Sequence, residues 1–205
     1  MDELLNVQYT DYINTVYRPH EPTCTAIGLK NLKSDVIDDT YFDIVDKQPM
    51  IKQPIGQGSA TYNNIENKII AFIDYEDFLN KLPANNTKEL KKCDFIAYDL
   101  GTNSFFLLNE LSQSKESKNK FSDARKQLHN ALFHFSNVPV IQSFINKFDR
   151  KLCIFSNKSS TIATPENIAD AFDTVKKYLP EPIEHDFQPI TKLNFKFIET
   201  AIIDV

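Results

Sequence analysis

The hydrophobic residues of this chain fall into short runs whose spacing predicts alternating helices and strands. Continuous or alternating apolar runs predict strands, whereas apolar residues that recur at helical spacing predict helices. The predicted strands are residues 41–45, 68–73 and 151–156, and a half-buried strand carrying Leu193, Phe195 and Phe197. The predicted helices are residues 3–16 with Leu5, Tyr9, Tyr12 and Val16 inward, residues 75–82, a helix capped by Ser122, and a helix beginning at Thr164. This order of elements predicts an α+β fold with a mixed sheet.

Two further apolar runs, residues 95–98 and 105–109, flank a Gly-Thr-Asn turn and predict a β-hairpin. Centring the turn on Thr102 places Asp94 directly opposite Glu110, with their Cβ atoms on one face of the sheet about 4.5–5.5 Å apart. The same register pairs apolar positions of the two strands: Ile96 with Leu108, and Tyr98 with Phe106. The hairpin therefore ends in two carboxylates at an otherwise apolar rim.

Two carboxylates that meet at one end of an otherwise apolar hairpin repel each other. A divalent cation relieves this repulsion, and Mg²⁺ prefers hard oxygen ligands of this kind. Ser112 lies two residues beyond Glu110 and projects from the same face of its strand. Asp94, Glu110 and Ser112 thus define the candidate site.

This arrangement resembles the core of the PD-(D/E)XK, or restriction-endonuclease-like, nuclease superfamily. In that superfamily an Asp opens one strand, an acid-x-Lys triplet follows on the next, and a helix then crosses the sheet. Here Asp94 matches the first acid and Glu110 the second, whereas Ser112 occupies the Lys position and Cys93 the Pro position. The resemblance covers residues 93–157. It implies a mixed central β-sheet flanked by helices, with a nuclease-like core at about residues 66–160 and elaborations at both ends.

The resemblance also implies roles for individual residues. Asp94 and Glu110 would coordinate Mg²⁺ or Mn²⁺, with the backbone carbonyl of Leu111 as a third ligand. Lys115, on the following loop, would replace the missing motif lysine. Gln127, on the helix after Ser122, would position a water molecule or a phosphate oxygen. The expected activity is hydrolysis of DNA or RNA phosphodiester bonds.

A second interpretation accounts for the missing lysine without any replacement. The chain would then be a catalytically silent nuclease-like module that binds nucleic acid or a protein partner. In this interpretation Asp94 caps a turn or pairs with Lys92, and Glu110 pairs with Lys115 or Arg125. The sequence leaves both interpretations open.

The charge distribution changes the picture more than the net charge does. A net charge of −5 argues against a protein that coats nucleic acid generally. Residues 1–46 carry a balance of −6, whereas residues 111–130 carry a balance of +3. The basic segment directly follows the acidic pair, and it is either a solvated surface or a contact for an anionic substrate.

Length and composition favour one globular domain over residues 1–205, with 41% hydrophobic and 25% charged residues. Three widely separated cysteines, Cys24, Cys93 and Cys153, indicate reduced packing residues and a cytoplasmic protein. No apolar run approaches the roughly 20 residues of a membrane helix, so no membrane association is expected. The stretch from Gly56 to Thr61 has Thr61 where a dinucleotide loop has its third glycine, and we expect a flexible connection there.

Overall fold

The structure, a computed structural model, describes residues 1–45, 52–53, 55, 57–112, 117–157 and 181–205. Its strands are β1 (Ser34–Ile37), β2 (Tyr41–Ile44), β3 (Lys52–Gln53), β4 (Ala60–Asn63), β5 (Ile70–Asp74), β6 (Phe95–Asp99), β7 (Phe105–Ser112), β8 (Arg150–Asn157), β9 (Ile183–His185), β10 (Lys196–Glu199) and β11 (Ile202–Asp204). Its α-helices are α1 (Thr10–Tyr12), α2 (Tyr75–Lys81), α3 (Ala84–Thr87), α4 (Ser117–Ser136), α5 (Pro139–Ile145) and α6 (Gln188–Thr191). Within these residues the fold is α+β, as predicted.

The larger sheet has seven strands in the order β1-β5-β6-β7-β8-β10-β9. Strands β5, β6 and β7 form an antiparallel meander, whereas β8 runs parallel to both β7 and β10. The parallel step from β7 to β8 requires a crossover, and α4 and α5 lie in that connection. The prediction of a mixed sheet flanked by helices is therefore confirmed.

The helices cover one face of this sheet. The apolar stripe of α4 packs into the core between the sheet and the N-terminal helix, as its spacing predicts: Ala124, Leu128, Ala131, Leu132 and Phe135, with Phe121 at its margin. The helix begins at Ser117, so the prediction that it starts after a cap at Ser122 is wrong. Its first turn carries no apolar residue, and hydrophobic periodicity cannot mark such a turn.

The N-terminal helix confirms three of its four predicted core positions. Leu5, Tyr9 and Tyr12 are buried, but Val16 is 65% exposed. The segments flanking α1, Leu4–Tyr9 and Ile13–Tyr17, are π-helical. Their i→i+5 hydrogen bonds change the angular spacing of side chains, so an extrapolation at 3.6 residues per turn misplaces Val16.

A second sheet of four strands, in the order β11-β4-β2-β3, covers the other face of the larger sheet. Phe42 and Tyr62 stack on each other and contact the edge of Phe72 on β5. Of its strands only β2 was predicted. The others are short, and β11 pairs with β4 across a separation in sequence that no local pattern records.

The connection before β4 is packed rather than flexible over its described part. Gly58 and Ser59 are buried, and the N–H of Ser59 donates to the carbonyl of Ile44 at 2.7 Å. Gly56 and the helix predicted from Thr164 lie outside the described residues. Across the described ranges, no helix combines the length and apolar character needed to cross a bilayer.

Candidate functional site

The hairpin of β6 and β7 places the two predicted acids at the same rim. Its ladder pairs Ile96 with Leu108 and Phe95 with Asn109, which is the predicted register. The ladder ends at the pair of Phe95 and Asn109, and Asp94 and Glu110 are the residues directly beyond it. Glu110 lies on the face of β7 that carries Leu108 and that α4 covers, and Asp94 directly precedes the first residue of β6.

Asp94 ends the ladder between the two strands. Its N–H donates to the Asn109 carbonyl at 3.1 Å, and its carboxylate Oδ2 accepts the N–H of Leu111 at 2.6 Å. β6 begins at Phe95 whereas β7 continues to Ser112, so Oδ2 takes the place of a backbone acceptor for Leu111. This side chain therefore has a structural role at the end of the hairpin.

The backbone of Asp94 also anchors α2. Its carbonyl accepts the N–H groups of Tyr75 and Glu76, at 3.0 and 3.3 Å. Asp74, the residue before α2, caps the same helix by accepting the N–H of Asp77 at 2.8 Å. Since caps of this kind fix the first turn of a helix, α2 has a defined position relative to the acidic pair.

Glu110 lies beside the buried core on the face that carries Leu108. It is half-buried, its Oε2 atom is buried, and in the parallel ladder it pairs with Phe155 of β8. A carboxylate in such surroundings benefits from a compensating charge or from hydrogen-bond donors, because burial of an ion is costly. Asp94 and Glu110 are each half-buried.

Cys93 lies close to both acids. Burial raises the pKa of its thiol well above the usual value, and the negative charges of Glu110 and then Asp94 raise that pKa further. The thiol consequently stays protonated, which excludes a thiolate nucleophile at this position. All three cysteines are buried and free, in agreement with the predicted packing role.

Two buried tyrosines lie behind Cys93. The hydroxyl groups of Tyr9 and Tyr75 are 2.9 Å apart, and burial raises the pKa of both. These residues are 66 positions apart in the chain, and their spacing in the sequence carries no signal of this contact. Because their pKa values are raised, both hydroxyl groups stay uncharged at neutral pH.

The remaining predicted site residues differ in where the structure places them. Ser112 is buried at the end of β7 and pairs with Asn157 of β8. Gln127 donates from Nε2 to the carbonyl of Lys92 at 2.9 Å, so it lies near the acids but its amide holds the backbone that leads to Asp94. Lys115 lies outside the described residues. The residues brought together are therefore Asp94, Glu110, Ser112 and Gln127.

The oxygen atoms at this rim are of the kind that bind a metal ion in proteins. Among the described residues, no group of three or more His, Cys, Asp or Glu side chains is arranged to hold a metal. A cation here would depend on the two carboxylates together with backbone and water oxygens. Within a strand the N–H and C=O of one residue point to the same side, so the Leu111 carbonyl faces the side on which Asp94 lies. This set fits Mg²⁺, which often keeps several waters and binds through one or two carboxylates.

Comparisons with protein-family models, with curated protein sequences and with solved structures gave no match for this chain.

Proposed function

We propose that this chain is a metal-dependent nuclease that hydrolyses DNA or RNA phosphodiester bonds. The observation that carries the proposal is the placement of both acids at one end of the β6–β7 hairpin, directly beyond its last pair, Phe95 and Asn109, where both carboxylates act on the Cys93 thiol. Two carboxylates at the end of an apolar hairpin are a suitable pair of ligands for Mg²⁺ or Mn²⁺. Asp94 and Glu110 would hold the ion, and the Leu111 carbonyl would be the third protein ligand.

The hydrogen bond from Leu111 to Asp94 is compatible with this role. An ionised carboxylate offers about four acceptor positions, so one N–H does not exhaust it. The same bond orients the carboxylate, because Oδ2 is held 2.6 Å from a backbone nitrogen of β7. Ligands whose orientation is fixed by a second contact bind metals more tightly than mobile ones.

The order of elements around the pair gives further support. Asp94 directly precedes β6, Glu110 lies on β7, α4 packs across the sheet, and β8 follows in parallel to β7. This is the succession that a restriction-endonuclease-like core implies. Assignment of the chain to that core is part of the proposal.

A bound Mg²⁺ would polarise the scissile phosphate and lower the pKa of a coordinated water. The chain's own residues would orient the reacting groups. Ser112 carries a hydroxyl where the resembled motif has lysine, so it can offer a hydrogen bond but no charge to the developing negative charge. Lys115 is proposed as the source of that charge.

The test is cleavage of plasmid, single-stranded DNA and RNA in the presence of Mg²⁺ or Mn²⁺, with chelator as the negative control. Glu110→Gln is expected to reduce the cleavage rate by at least about a hundredfold, the lower end of what one charge-stabilising group contributes. Asp94→Asn is expected to act similarly while retaining an amide oxygen for the Leu111 N–H. Glu184→Gln, an exposed acid paired with Lys196, is the matched control and should cleave normally. Cleavage that survives Glu110→Gln would exclude the mechanism.

The second candidate function is a catalytically silent module that binds nucleic acid or a protein partner. This function is favoured by the structural roles of two predicted site residues. The Asp94 carboxylate and the Gln127 amide each form a hydrogen bond with a backbone group. Thermal unfolding with and without Mg²⁺ separates the two functions. A ligand of the native state raises the melting temperature, so a metal site predicts a Mg²⁺-dependent increase that Asp94→Asn removes. The silent module predicts no increase and no cleavage.

A further inference from the structure

A basic groove of about 690 Å³ opens beside α2. Three lysines line it, Lys30, Lys33 and Lys81, and its other described lining residues are uncharged: Thr25, Ala26, Ile27, Asn31 and Pro83. Three lysines therefore line one concave surface of a chain whose net charge is −5. Their convergence is a tertiary feature, because Lys81 lies far from the other two in sequence.

The positions of two of these lysines are fixed by Asp77. The carboxylate of this buried residue lies 2.5 Å from Lys81 Nζ and 3.5 Å from Lys33 Nζ. Lys81 also donates to the carbonyl of Asn31 at 2.6 Å. An ammonium group has three donors, so these contacts leave both lysines with capacity for an anionic ligand. Lys30 is exposed on the turn Leu29–Asn31.

The groove lies at the same rim of the sheet as the acidic pair. The Lys33 carbonyl accepts the N–H of Asp74, and Asp74 pairs with Phe95, the residue after Asp94. Strands β1, β5, β6 and β7 are consecutive neighbours in the sheet. Neighbouring strands lie about 4.8 Å apart. The backbone of Lys33 is therefore about 10 Å from that of Asp94 and about 15 Å from that of Glu110.

We propose that this lysine groove binds the phosphodiester backbone of a nucleic-acid strand whose scissile phosphate lies at the acidic pair. The identification of the anion as nucleic acid rests on the proposed function. At roughly 3.4 Å per nucleotide along a stacked strand, the separation corresponds to about three to four nucleotides. The lysines offset the repulsion that two carboxylates exert on an approaching polyanion. The lysines also position the nucleic-acid strand, and contacts of this kind with phosphates carry no sequence information.

The test measures binding separately from hydrolysis. A fluorescently labelled single-stranded oligonucleotide, of DNA and then of RNA, is titrated with protein in chelator, and the dissociation constant is followed against salt concentration. The test variant is Lys30→Gln with Lys33→Gln, which leaves the Lys81–Asp77 pair intact. The matched control is Lys147→Gln with Lys196→Gln, which removes the same charge at the opposite end of the sheet.

The test variant is expected to bind several-fold more weakly than wild type. Its plot of log Kd against log salt should be shallower by about 1.4, because each phosphate of a single strand that a lysine neutralises adds about 0.7 to the slope. The control pair should bind like wild type. Equal weakening in both pairs, no weakening in either, or no binding by wild type would overturn the groove proposal.

The same titration with the double variant Asp94→Asn, Glu110→Gln distinguishes this inference from the proposed nuclease activity. Binding through the groove should persist in that variant although cleavage is abolished. Wild-type protein that binds through the lysines but does not cleave with Mg²⁺ or Mn²⁺ would support the groove and refute the nuclease. If wild type cleaves and the variant Lys30→Gln with Lys33→Gln binds as tightly as wild type, the nuclease is supported and the groove is refuted.

Discussion

At the scale of single residues, Gly58 is a position that tolerates no side chain. A Cβ atom there would lie 2.6 Å from the Asp43 Cβ and 2.6 Å from the Ile44 carbonyl oxygen. Neither atom can move unless the strand moves, because Asp43 and Ile44 both belong to β2. We expect Gly58→Ala to lower the free energy of unfolding by about 1–3 kcal/mol, the usual cost of overpacking. Urea denaturation measures this change.

Gly101→Ala is the matched control for Gly58→Ala. A Cβ atom at position 101 would meet only the Asp99 Oδ1 atom within 4 Å, at 3.4 Å. Its cost should stay within about 0.5 kcal/mol, as at surface positions generally. Equal costs for the two substitutions would contradict the packing of the Gly58 segment against β2.

The site residues differ in how far sequence could place them. The end of the hairpin at which Asp94 and Glu110 lie could be predicted, because the apolar residues and the turn between them specify one register. The bond between Asp94 and the Leu111 N–H could not be foreseen, since it depends on β6 ending before β7 does. The hydrogen bond from Gln127 to the Lys92 carbonyl could not be predicted from sequence either, because it joins a helix to a distant segment.

At the scale of elements, the β6–β7 hairpin is closed by Asp99. Its carboxylate accepts five hydrogen bonds, from Gly101 N–H and from the N–H and hydroxyl groups of Thr102 and Ser104. Burial alone would raise the pKa of Asp99, but these bonds outweigh burial and lower that pKa to about 2. The turn therefore depends on an ionised side chain.

Asp99→Asn tests this dependence. The lowered pKa stabilises the folded state above the unfolded-state pKa, near 3.8, and this contribution is lost as the pH falls toward 2. We expect the substitution to lower the free energy of unfolding by about 2 kcal/mol at neutral pH. The difference from wild type should shrink below pH 4.

Asp149→Asn, an exposed acid in the connection to β8, is the control for Asp99→Asn. It should leave the neutral-pH stability within about 0.5 kcal/mol of wild type. A constant difference between Asp99→Asn and wild type from pH 2 to pH 7 would show that ionisation of Asp99 does not support the turn.

The elements that sequence predicted are those with a strong local period. The three antiparallel strands β5, β6 and β7, the stripe of α4 and the strand β8 all carry uninterrupted apolar patterns. By contrast, the first turn of α4 is polar, and the short strands of the second sheet obtain their burial from pairing with distant segments. Local propensity is a weak guide for such segments, because tertiary contacts decide their conformation.

At the scale of the whole molecule, His134 joins α4 to the N-terminal helix. Its Nδ1 lies 2.8 Å from the Tyr12 hydroxyl, and its ring contacts the edge of Tyr17. Burial lowers the pKa of His134 from 6.5 to about 4. The folded protein therefore holds this imidazole in its neutral form at neutral pH.

This lowered pKa predicts an acid-dependent loss of stability. Between pH 6.5 and pH 4 the unfolded chain binds a proton at His134 that the folded chain does not, so the free energy of unfolding falls as the pH decreases. The loss from this residue should total about 3 kcal/mol. His134→Gln should remove that part of the slope when unfolding is measured across this pH range.

His20→Gln, which removes an exposed imidazole, is the control for the loss of one histidine. If the stability of wild type and of His134→Gln depends on pH in the same way between pH 4 and 6.5, the neutral buried imidazole is refuted. A slope removed by both substitutions would refute it equally.

The sequence by itself determined the α+β class and the register of the central hairpin, and with that register the end of the hairpin at which Asp94 and Glu110 lie. These properties follow from alternation, helical period and turn chemistry, which are encoded over a few neighbouring residues. Only the tertiary structure decided the second sheet, the convergence of Lys30, Lys33 and Lys81, and the lowered pKa of the buried imidazole. Each of these depends on burial and on contacts between distant segments, and such contacts exist only once the chain is folded.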